Sequence, residues 1–387
     1  MELTIDAKDL ATVLALPNRA VPSRPSNPVL TNLLLKAEDN TLAVTGSDLG
    51  AVTITAKAKA SIAVEGEVLL PAKLLTDMVG RMEGNLALNW DPETSQAIII
   101  AAPGCSYSLS GQPGEDYPLI ERAEGQQLTM EASTLARALE ATLAIVSDDE
   151  SKQILCGVHL QPASDGLEVA STDGHRLSVF PVAQEALEAF TPVTLPSKGL
   201  KALSGHLGKA EGMVAVTLDN TIATNELDNT IATFDLGDLV FTTRLLEGQY
   251  PEYRRLIPTA FAVETLINRQ AWIDALGRIM VVASQKNDIV KHQWNDQGQL
   301  VLEADVQGSS GRELVGCEAS EGQGEDVLGK AKNPMAFNGD YLLDGLKAFG
   351  SEQVILHTNT PTSPATITAP GSSQVYLVMP VQIRDQI

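Results

Sequence analysis

The chain has 387 residues, of which 44% are hydrophobic and 20% charged, a composition typical of a folded protein of two to three domains. Taken as a whole, the net charge of −22 argues against a protein that coats nucleic acid. Three scattered cysteines exclude a disulfide framework, and no basic, apolar leader or apolar run of about 18 residues indicates secretion or membrane insertion. We therefore expect a cytoplasmic protein with no membrane partner.

The predicted elements of the first third alternate between short amphipathic helices and runs of strands. The spacing of Leu10, Val13 and Leu14 predicts a helix over 7–16, and a second helix is predicted over 71–82. The expected buried stripe of this second helix is Leu74, Leu75, Met78, Val79 and Met82. Residue alternation predicts strands at 33–36, 42–45, 51–56, 86–90, 97–101 and 107–110.

The remainder of the chain shows the same alternation. Four apolar residues at helical spacing predict the clearest helix, over 133–146: Leu135, Leu139, Leu143 and Val146. Further helices are predicted over 196–207, 270–282 and 339–349. Six helices, each beside a run of strands, indicate an α+β fold with antiparallel sheets and with the helices on one face.

The sequence repeats itself at a domain-sized interval. Residues 42–48 align with 167–173, and 71–80 with 196–205, both at an offset of 125, while a fainter third copy begins at Leu300. Because this period exceeds the roughly 20 to 50 residues of solenoid repeats, we predict three tandem copies of one domain. Each copy consists of two helix-plus-antiparallel-sheet halves. The expected domains are 1–122, 123–257 and 258–387.

A shorter tandem duplication lies inside the second copy. Residues 218–224 recur nine residues later as 227–233. We expect this insertion, at 218–233, to lengthen a surface hairpin without touching the core, because surface loops tolerate added length. We assign it no function.

Charge is divided unevenly between the predicted helices and the rest of the chain. Windows around the six helices hold 15 of the 27 basic and 13 of the 49 acidic residues: 6–25, 71–84, 131–152, 196–210, 267–291 and 338–350. Their net charge is +2, whereas the remaining residues carry −24. If the helices share one face, that face is mildly basic, and screening over about 8 Å makes this local distribution matter more than the total. The simpler alternative is that lysines on helices serve solubility.

The stretch from Ser171 to Leu177, STDGHRL, is the most distinctive local motif. Asp173 and His175 suggest acid–base chemistry, so a hydrolase is one alternative. The default interpretation is a tight Asp-Gly turn after a strand, since no nucleophile elbow accompanies the pair. The chain has neither a metal-binding His and Cys spacing nor a Gly-rich phosphate loop, so we expect no metal, no cofactor and no catalytic residue.

Several separate motifs, in order along the threefold repeat, resemble the bacterial sliding clamps, the beta subunits of the replicative DNA polymerase III. They are the TDGHRL turn, the YPEYRRLIP linker at 250–258 and the YLVMPV tail at 376–381. The segment from Arg24 to Leu35 and the segment from Phe337 to Asp344 are also similar. The resemblance runs from the first helix to the C-terminus.

The resemblance implies a ring of two three-domain chains joined head to tail, with helices lining the hole and sheets outside. Such a ring is a processivity factor that encircles duplex DNA without sequence specificity and tethers the replicative polymerase. Beyond DNA and a second copy of the chain, the implied partners are the polymerase alpha subunit, the clamp loader and other proteins with clamp-binding motifs, at the nucleoid. The alternative is a non-catalytic interaction scaffold that no longer loads on DNA.

Two sets of site residues follow. By position, the candidates for contact with DNA phosphates are Arg24, Lys73, Arg137, Lys152, Lys198 and Lys201. The resemblance also implies a pocket between domains two and three for a short partner peptide, formed by Leu155, Thr172, Gly174, His175, Arg176, Leu177, Pro251, Arg255, Leu256, Asn338, Tyr341, Thr362, Leu377, Val378, Met379, Pro380 and Val381. Leu155, Leu177 and Val378 have the alternative of being core residues.

Two segments depart from the family pattern. Gln382 stands where an arginine is usual, which removes a charge from the tail. The loop at 148–154 is acidic at its start and carries Gln153 and Ile154 where some relatives have aromatic residues that touch DNA.

Overall fold

The computed structural model describes residues 1–25, 27–49, 51–115, 117–183, 190–219, 231–321 and 334–382. Most of the predicted duplication, at 220–230, and the tail at 383–387 lie outside the described residues. The chain divides into two compact units, one formed by 1–133 with 198–245 and the other by 134–197 with 246–387.

The six predicted helices are present within a few residues at each end, and the structure adds a short seventh, Pro17–Ala20, that was not predicted. The α-helices are α1 (Ala7–Ala15), α2 (Pro17–Ala20), α3 (Ala72–Val79), α4 (Ala132–Leu143), α5 (Ser197–Leu207), α6 (Arg269–Ala283) and α7 (Gly339–Lys347). Short 3-10 helices occupy Pro28–Thr31, Glu150–Leu155 and Tyr253–Leu256. Side-chain caps begin several helices: Asp6 accepts from the Lys8 N–H, and Asn268 accepts from the Ala271 N–H, both at 2.9 Å.

The predicted buried stripe of α3 is wrong at one position. Leu75 and Val79 are buried, but the Leu74 side chain is 54% exposed. Leu74 lies about 100° from Leu75 around the axis and next to the exposed Lys73, which places it at the solvent side of the apolar face.

All strand pairs in the described residues are antiparallel. The first thirteen strands are β1 (Glu2–Asp6), β2 (Asn32–Glu38), β3 (Thr41–Asp48), β4 (Val52–Lys59), β5 (Ser61–Val64), β6 (Gly66–Pro71), β7 (Asn85–Asp91), β8 (Gln96–Ala102), β9 (Cys105–Ser110), β10 (Gln126–Glu131), β11 (Gly157–Ala163), β12 (Gly166–Thr172) and β13 (Arg176–Ala183). The others are β14 (Val193–Pro196), β15 (Met213–Leu218), β16 (Ile231–Asp235), β17 (Leu239–Arg244), β18 (Val263–Asn268), β19 (Ile289–Trp294), β20 (Leu300–Val306), β21 (Ser309–Val315), β22 (Cys317–Glu321), β23 (Met335–Asn338), β24 (Gln353–Thr358), β25 (Ala365–Thr368) and β26 (Val375–Val378).

Each unit contains two sheets. In the first unit, one sheet has the order β5-β1-β7-β8-β9 and the other β10-β15-β16-β17-β4-β3-β2-β6. In the second unit, the orders are β14-β11-β12-β13-β26-β25-β24-β18-β22 and β21-β20-β19-β23. A buried cluster beneath α6 and α7, centred on Trp272, Leu276 and Phe337, forms a large part of the second unit's core.

The sheet orders confirm the predicted threefold repeat of two sheet halves. One half recurs as β6-β2-β3-β4, β14-β11-β12-β13 and β23-β19-β20-β21. The other recurs as β1-β7-β8-β9, β10-β15-β16-β17 and β18-β24-β25-β26. Copies join edge to edge where β4 pairs with β17 and where β13 pairs with β26. The equivalent end strands β9 and β21 are sheet edges.

Helix α5 begins irregularly at a glycine. Gly199 has a φ of 88°, and a Cβ built on it would lie 3.2 Å from Cε2 and Cζ of Phe241. We expect Gly199→Ala to lower the free energy of unfolding by about 1–2 kcal/mol, because alanine resists the left-handed conformation and its methyl group crowds the ring. Gly205→Ala, in the same helix with no atom near its Cβ, should leave stability unchanged or raise it. Thermal unfolding of both variants checks this, and equal midpoints would contradict it.

Candidate functional site

The turn between β12 and β13 is held by its own aspartate. One Asp173 carboxylate oxygen accepts hydrogen bonds from the N–H groups of His175 at 2.8 Å and Arg176 at 3.0 Å. Gly174 completes the turn with a φ of 94°. The default interpretation, a tight Asp-Gly turn, is therefore correct, and the Asp173 carboxylate serves the turn and Arg176 instead of forming an acid–base pair with the His175 ring.

Arg176 is the electrostatic centre of the site. Its side chain is only 10% exposed, and it donates to the Asp173 carboxylate at 2.9 Å and to the Asp344 carboxylate at 2.7 Å. The guanidinium lies 4.2 Å from the centre of the Tyr341 ring. Burial alone would lower the pKa of Arg176, but the hydrogen bonds to Asp344 and Asp173 outweigh it and raise that pKa. Arg176, on β13, is thus bound both to the turn through Asp173 and to α7 through Asp344.

The C-terminal tail is bound to the same turn. Strand β26 pairs with β13, placing Leu377 opposite Leu177. Beyond the strand, the Met379 N–H donates to the His175 carbonyl at 2.9 Å, and the Val381 N–H donates to the Ala336 carbonyl at 2.7 Å. The tail therefore lies between the turn and the strand that leads into α7.

The linker fixes the turn from the other side. The Tyr250 hydroxyl accepts from the Thr172 N–H at 3.0 Å, and its ring stacks on His159 with centroids 4.3 Å apart. The Tyr253 hydroxyl donates to the Glu168 carboxylate at 2.8 Å, and Arg254 donates to the same carboxylate at 2.9 Å. Burial raises the pKa of both tyrosines, so their hydroxyls stay protonated.

The structure brings the turn, Tyr341 and the tail together, and Leu155 packs against the buried cluster that contains Leu177 and Leu377. The predicted residues differ in their exposure. Thr172, Leu177, Leu377 and Val378 are buried, and Leu177 and Val378 each belong to a buried hydrophobic cluster. The half-buried set is Leu155, Arg176, Asn338, Tyr341, Pro380 and Val381. The exposed set is Gly174, His175, Pro251, Arg255, Leu256, Thr362 and Met379. Asn338 caps α7 by accepting from the Tyr341 N–H at 3.1 Å, and Thr362 lies in the turn before β25.

Three contributors to this site were missed by the sequence analysis: Asp344, Tyr250 as an anchor of the turn, and His159. Asp344 and Tyr250 belong to the sequence motifs named above. Along the chain, however, Asp344 is 168 residues from Arg176 and Tyr250 is 78 residues from Thr172. Only the strand pairing in three dimensions brings them into contact.

All six candidate phosphate contacts are exposed. In the first unit, Arg24, Lys198 and Lys201 line one cavity together with Arg19, whereas Lys73 lies on α3 and is absent from that lining. Lys198 forms an ion pair with Asp48 at 2.9 Å. In the second unit, the Arg137 guanidinium lies 5.8 Å from the centre of the Phe180 ring, and Lys152 lies in the 3-10 helix at Glu150–Leu155.

Acid should destabilise the second unit through buried histidine. Burial lowers the pKa of His159 from 6.5 to about 4, so this ring stabilises the fold fully above pH 6.5 and loses that contribution as pH falls towards 4. We expect the loss attributable to His159 to be about 3 kcal/mol. The variant His159→Gln keeps a group able to bond the Thr194 hydroxyl but cannot titrate, so its unfolding free energy should fall less steeply between pH 7 and pH 4. If urea titrations gave the same change of unfolding free energy with pH for both proteins, His159 would not be the source of the acid sensitivity.

In the part of the chain that the structure describes, no group of three His, Cys, Asp or Glu side chains could hold a metal ion. None of the described helices is long and apolar enough to cross a membrane.

Comparisons with known proteins agree along the whole chain. Models of the N-terminal, central and C-terminal domains of the DNA polymerase III beta subunit match residues 1–121, 129–252 and 254–382. The beta sliding clamps of Synechococcus elongatus and a Synechocystis strain are 36% and 35% identical, and each alignment covers 99% of this chain and 100% of the relative.

Solved structures show the same fold. A Pseudomonas aeruginosa sliding clamp bound to griselimycin is 25% identical with a TM-score of 0.88, and the Bacillus subtilis clamp is 23% identical with the same TM-score of 0.88. Each comparison covers 99% of this chain and 100% of the other. The chain belongs to the bacterial DNA polymerase III beta subunit family, the sliding clamps.

Proposed function

We propose that two copies of this chain close head to tail into a ring that encircles duplex DNA and serves as a processivity factor. The family is non-catalytic, so the ring acts as a mobile tether and not as an enzyme. Within each chain we retain the domain bounds 1–122, 123–257 and 258–387, and we place the protein at the nucleoid in the cytoplasm.

The observation that carries the ring is the pattern of sheet junctions. The end strand of one sheet half pairs with the end strand of the next copy's other half at β4·β17 and again at β13·β26. The third pair of this series would be β21 with β9, and among the described strands each of these is the end strand of its own sheet. Pairing β21 of one chain with β9 of a second chain continues the series and removes both edges.

The exposed residues of these edges support an interface. Tyr107 on β9 is 46% exposed and Leu314 on β21 is 53% exposed, which places large apolar side chains on strands that pair on one side only among the described residues. Two such junctions, related by twofold symmetry, close the ring. A native mass measurement at micromolar concentration tests this: we expect twice the 41.1 kDa of one chain. A strict monomer would overturn the proposal.

Weak attraction along the hole suits a ring that slides. The helix windows carry a net charge of +2 against −24 elsewhere, so phosphates are attracted to the helices and repelled from the rest. The six exposed cations named above are the proposed contacts, and the Asp48 partner reduces the effective charge of Lys198. Phosphate contacts carry no sequence information, so the ring binds any duplex.

The site around the 173–176 turn is the proposed docking point for partner peptides. Leu256 is 55% exposed and Met379 is 40% exposed, and these side chains flank the site with apolar surface. The buried Arg176 network holds the turn rigid, which lowers the entropic cost of binding. We propose the polymerase alpha subunit, the clamp loader and other proteins with clamp-binding motifs as its ligands. No observation favours a scaffold that does not load on DNA.

A further inference from the structure

The first unit contains a cavity of about 740 Å³ that the proposed function does not explain. Its floor is apolar, because Leu30, Val52, Ile54 and Ala202 line it and are buried. Its rim is basic and carries the exposed side chains of Arg19, Arg24, Lys198 and Lys201. Asp48, the ion-pair partner of Lys198, is the acidic residue of the lining.

This cavity occupies the position in the first unit that the peptide site occupies in the second. The Ser47 N–H donates to the Tyr117 hydroxyl at 3.1 Å, as the Thr172 N–H donates to the Tyr250 hydroxyl at 3.0 Å. Both hydrogen bonds fasten a linker tyrosine to the end of the equivalent strand, β3 or β12. Both sites also lie at a junction of copies, β4·β17 in one case and β13·β26 in the other.

The two junctions differ in the helix that covers them. Leu200 and Leu342 are the fourth residues of α5 and α7 and are both fully buried, which aligns the helices. On that alignment Gly199 replaces Tyr341, so no aromatic ring fills the first junction. Lys198 replaces Asp340, Lys201 replaces Leu343, and Ala202 replaces Asp344. The exchange opens space and changes the rim from acidic to basic.

We propose that this cavity binds an acidic peptide segment through one or two aliphatic anchor side chains. Four buried aliphatic residues provide a floor for an anchor, and the four exposed rim cations outnumber the single acidic lining residue, Asp48, so the rim is complementary to the carboxylates of an acidic peptide. Duplex DNA is the less favoured ligand, because a phosphate backbone uses the cations but not the apolar floor. The peptide class is taken from the proposed function of the 173–176 site, so the inference rests on that function.

The test uses the peptide Asp-Glu-Leu-Leu-Asp-Glu-amide with fluorescein attached to its N-terminal amine, and its counterpart with lysine at the four acidic positions and the same N-terminal label. Fluorescence anisotropy measures their binding to the intact protein. We expect saturable binding of the acidic peptide and none of the basic one. Because Arg24, Lys198 and Lys201 are also proposed DNA contacts, the cavity variants are Arg19→Glu and Leu49→Ser. Leu49 lines the cavity and is 39% exposed, so its replacement should not disturb the core.

Each cavity variant should lower the affinity for the acidic peptide about fivefold. Arg19→Glu acts through charge reversal and Leu49→Ser through lost apolar contact. The matched control Arg81→Glu reverses another exposed cation of the same unit, absent from the cavity lining, and should change affinity less than about twofold. If Arg81→Glu lowered the affinity as much as the cavity variants, or if the basic peptide bound as tightly as the acidic one, binding would not depend on the cavity. Either result would overturn the proposal.

Two further outcomes separate this site from the others. A short duplex should compete with the peptide because three rim cations are shared, but unchanged peptide affinity in Leu49→Ser would show that the apolar floor takes no part in binding and would overturn the proposal. Loss of binding in Met379→Ser but not in Arg19→Glu would place the probe at the tail site and also overturn it. Cavity binding by a protein that is not retained on circular DNA would leave this inference standing while the proposed function fails.

Discussion

Ser108→Pro is expected to convert the protein from a two-chain ring into a monomer. Ser108 lies in β9, the edge strand that we propose pairs with β21 of the second chain. The Gly111 N–H donates to the Ser95 carbonyl, and hydrogen bonding alternates along an antiparallel strand. Leu109 and Tyr107 therefore bond to β8, while the N–H groups of Ser106, Ser108 and Ser110 face the open edge.

Proline at 108 removes an outward N–H and places its ring against the incoming strand, without breaking the ladder to β8. We expect a cost of about 2 kcal/mol at each of the two junctions, so the dimer should dissociate about a thousandfold more readily. Sedimentation at micromolar concentration measures this directly.

Ser108→Ala is the matched control for that measurement. It removes the Ser108 side-chain bond to Gln96, as proline does, but it keeps the backbone N–H. The alanine variant should remain a dimer. A proline variant that stays dimeric while it remains folded would show that β9 is not the joint.

Arg176→Ala is expected to destabilise the second unit and to abolish most peptide binding. It leaves the carboxylates of Asp173 and Asp344, which are 15% and 36% exposed, without their shared cation. Removing one partner of a buried ion pair costs about 3–5 kcal/mol, and the partial exposure of Asp344 reduces our expectation to about 2–3 kcal/mol. The Tyr341 ring also loses the guanidinium packed on it, so peptide affinity should fall at least about tenfold.

Arg255→Ala provides the comparison for stability. Its side chain is 81% exposed and pairs with Glu252 on the surface, so its removal should cost less than about 0.5 kcal/mol. Urea unfolding of the two variants, with anisotropy of a clamp-binding peptide, checks both effects. Equal stability losses would show that burial of the Arg176 network does not matter.

Local pattern predicted much of the fold. Six helices and most strands of the first copy follow from apolar spacing, because a helix or strand must turn one face to the core. Strands β1, β5 and β6 were missed, since segments of four to six residues carry little periodicity. The junctions β4·β17 and β13·β26 could not be predicted from spacing, because pairing of distant strands depends on which edges the whole fold brings together.

The sequence predicted which motifs form the candidate site but not the side-chain contacts between them. The turn meets the tail through the Met379–His175 hydrogen bond and the linker through the Thr172–Tyr250 hydrogen bond. The role of Asp344 was missed because its only local signal is a helical carboxylate, and such residues usually face solvent. The cavity was missed because it depends on the absence of a side chain at Gly199, where α7 has Tyr341. A missing side chain produces no sequence motif.

Release from circular DNA is the most direct test of the central claim that this chain holds DNA by encircling it. The protein is loaded with its cognate clamp loader and ATP on a nicked circle and then separated from free protein by gel filtration. We predict that it stays with the circle and dissociates when a restriction enzyme linearises the DNA, since a closed ring can leave only over an end. Ser108→Pro should not be retained on either form. Equal retention on circular and linear DNA, or none on the circle, would contradict topological binding.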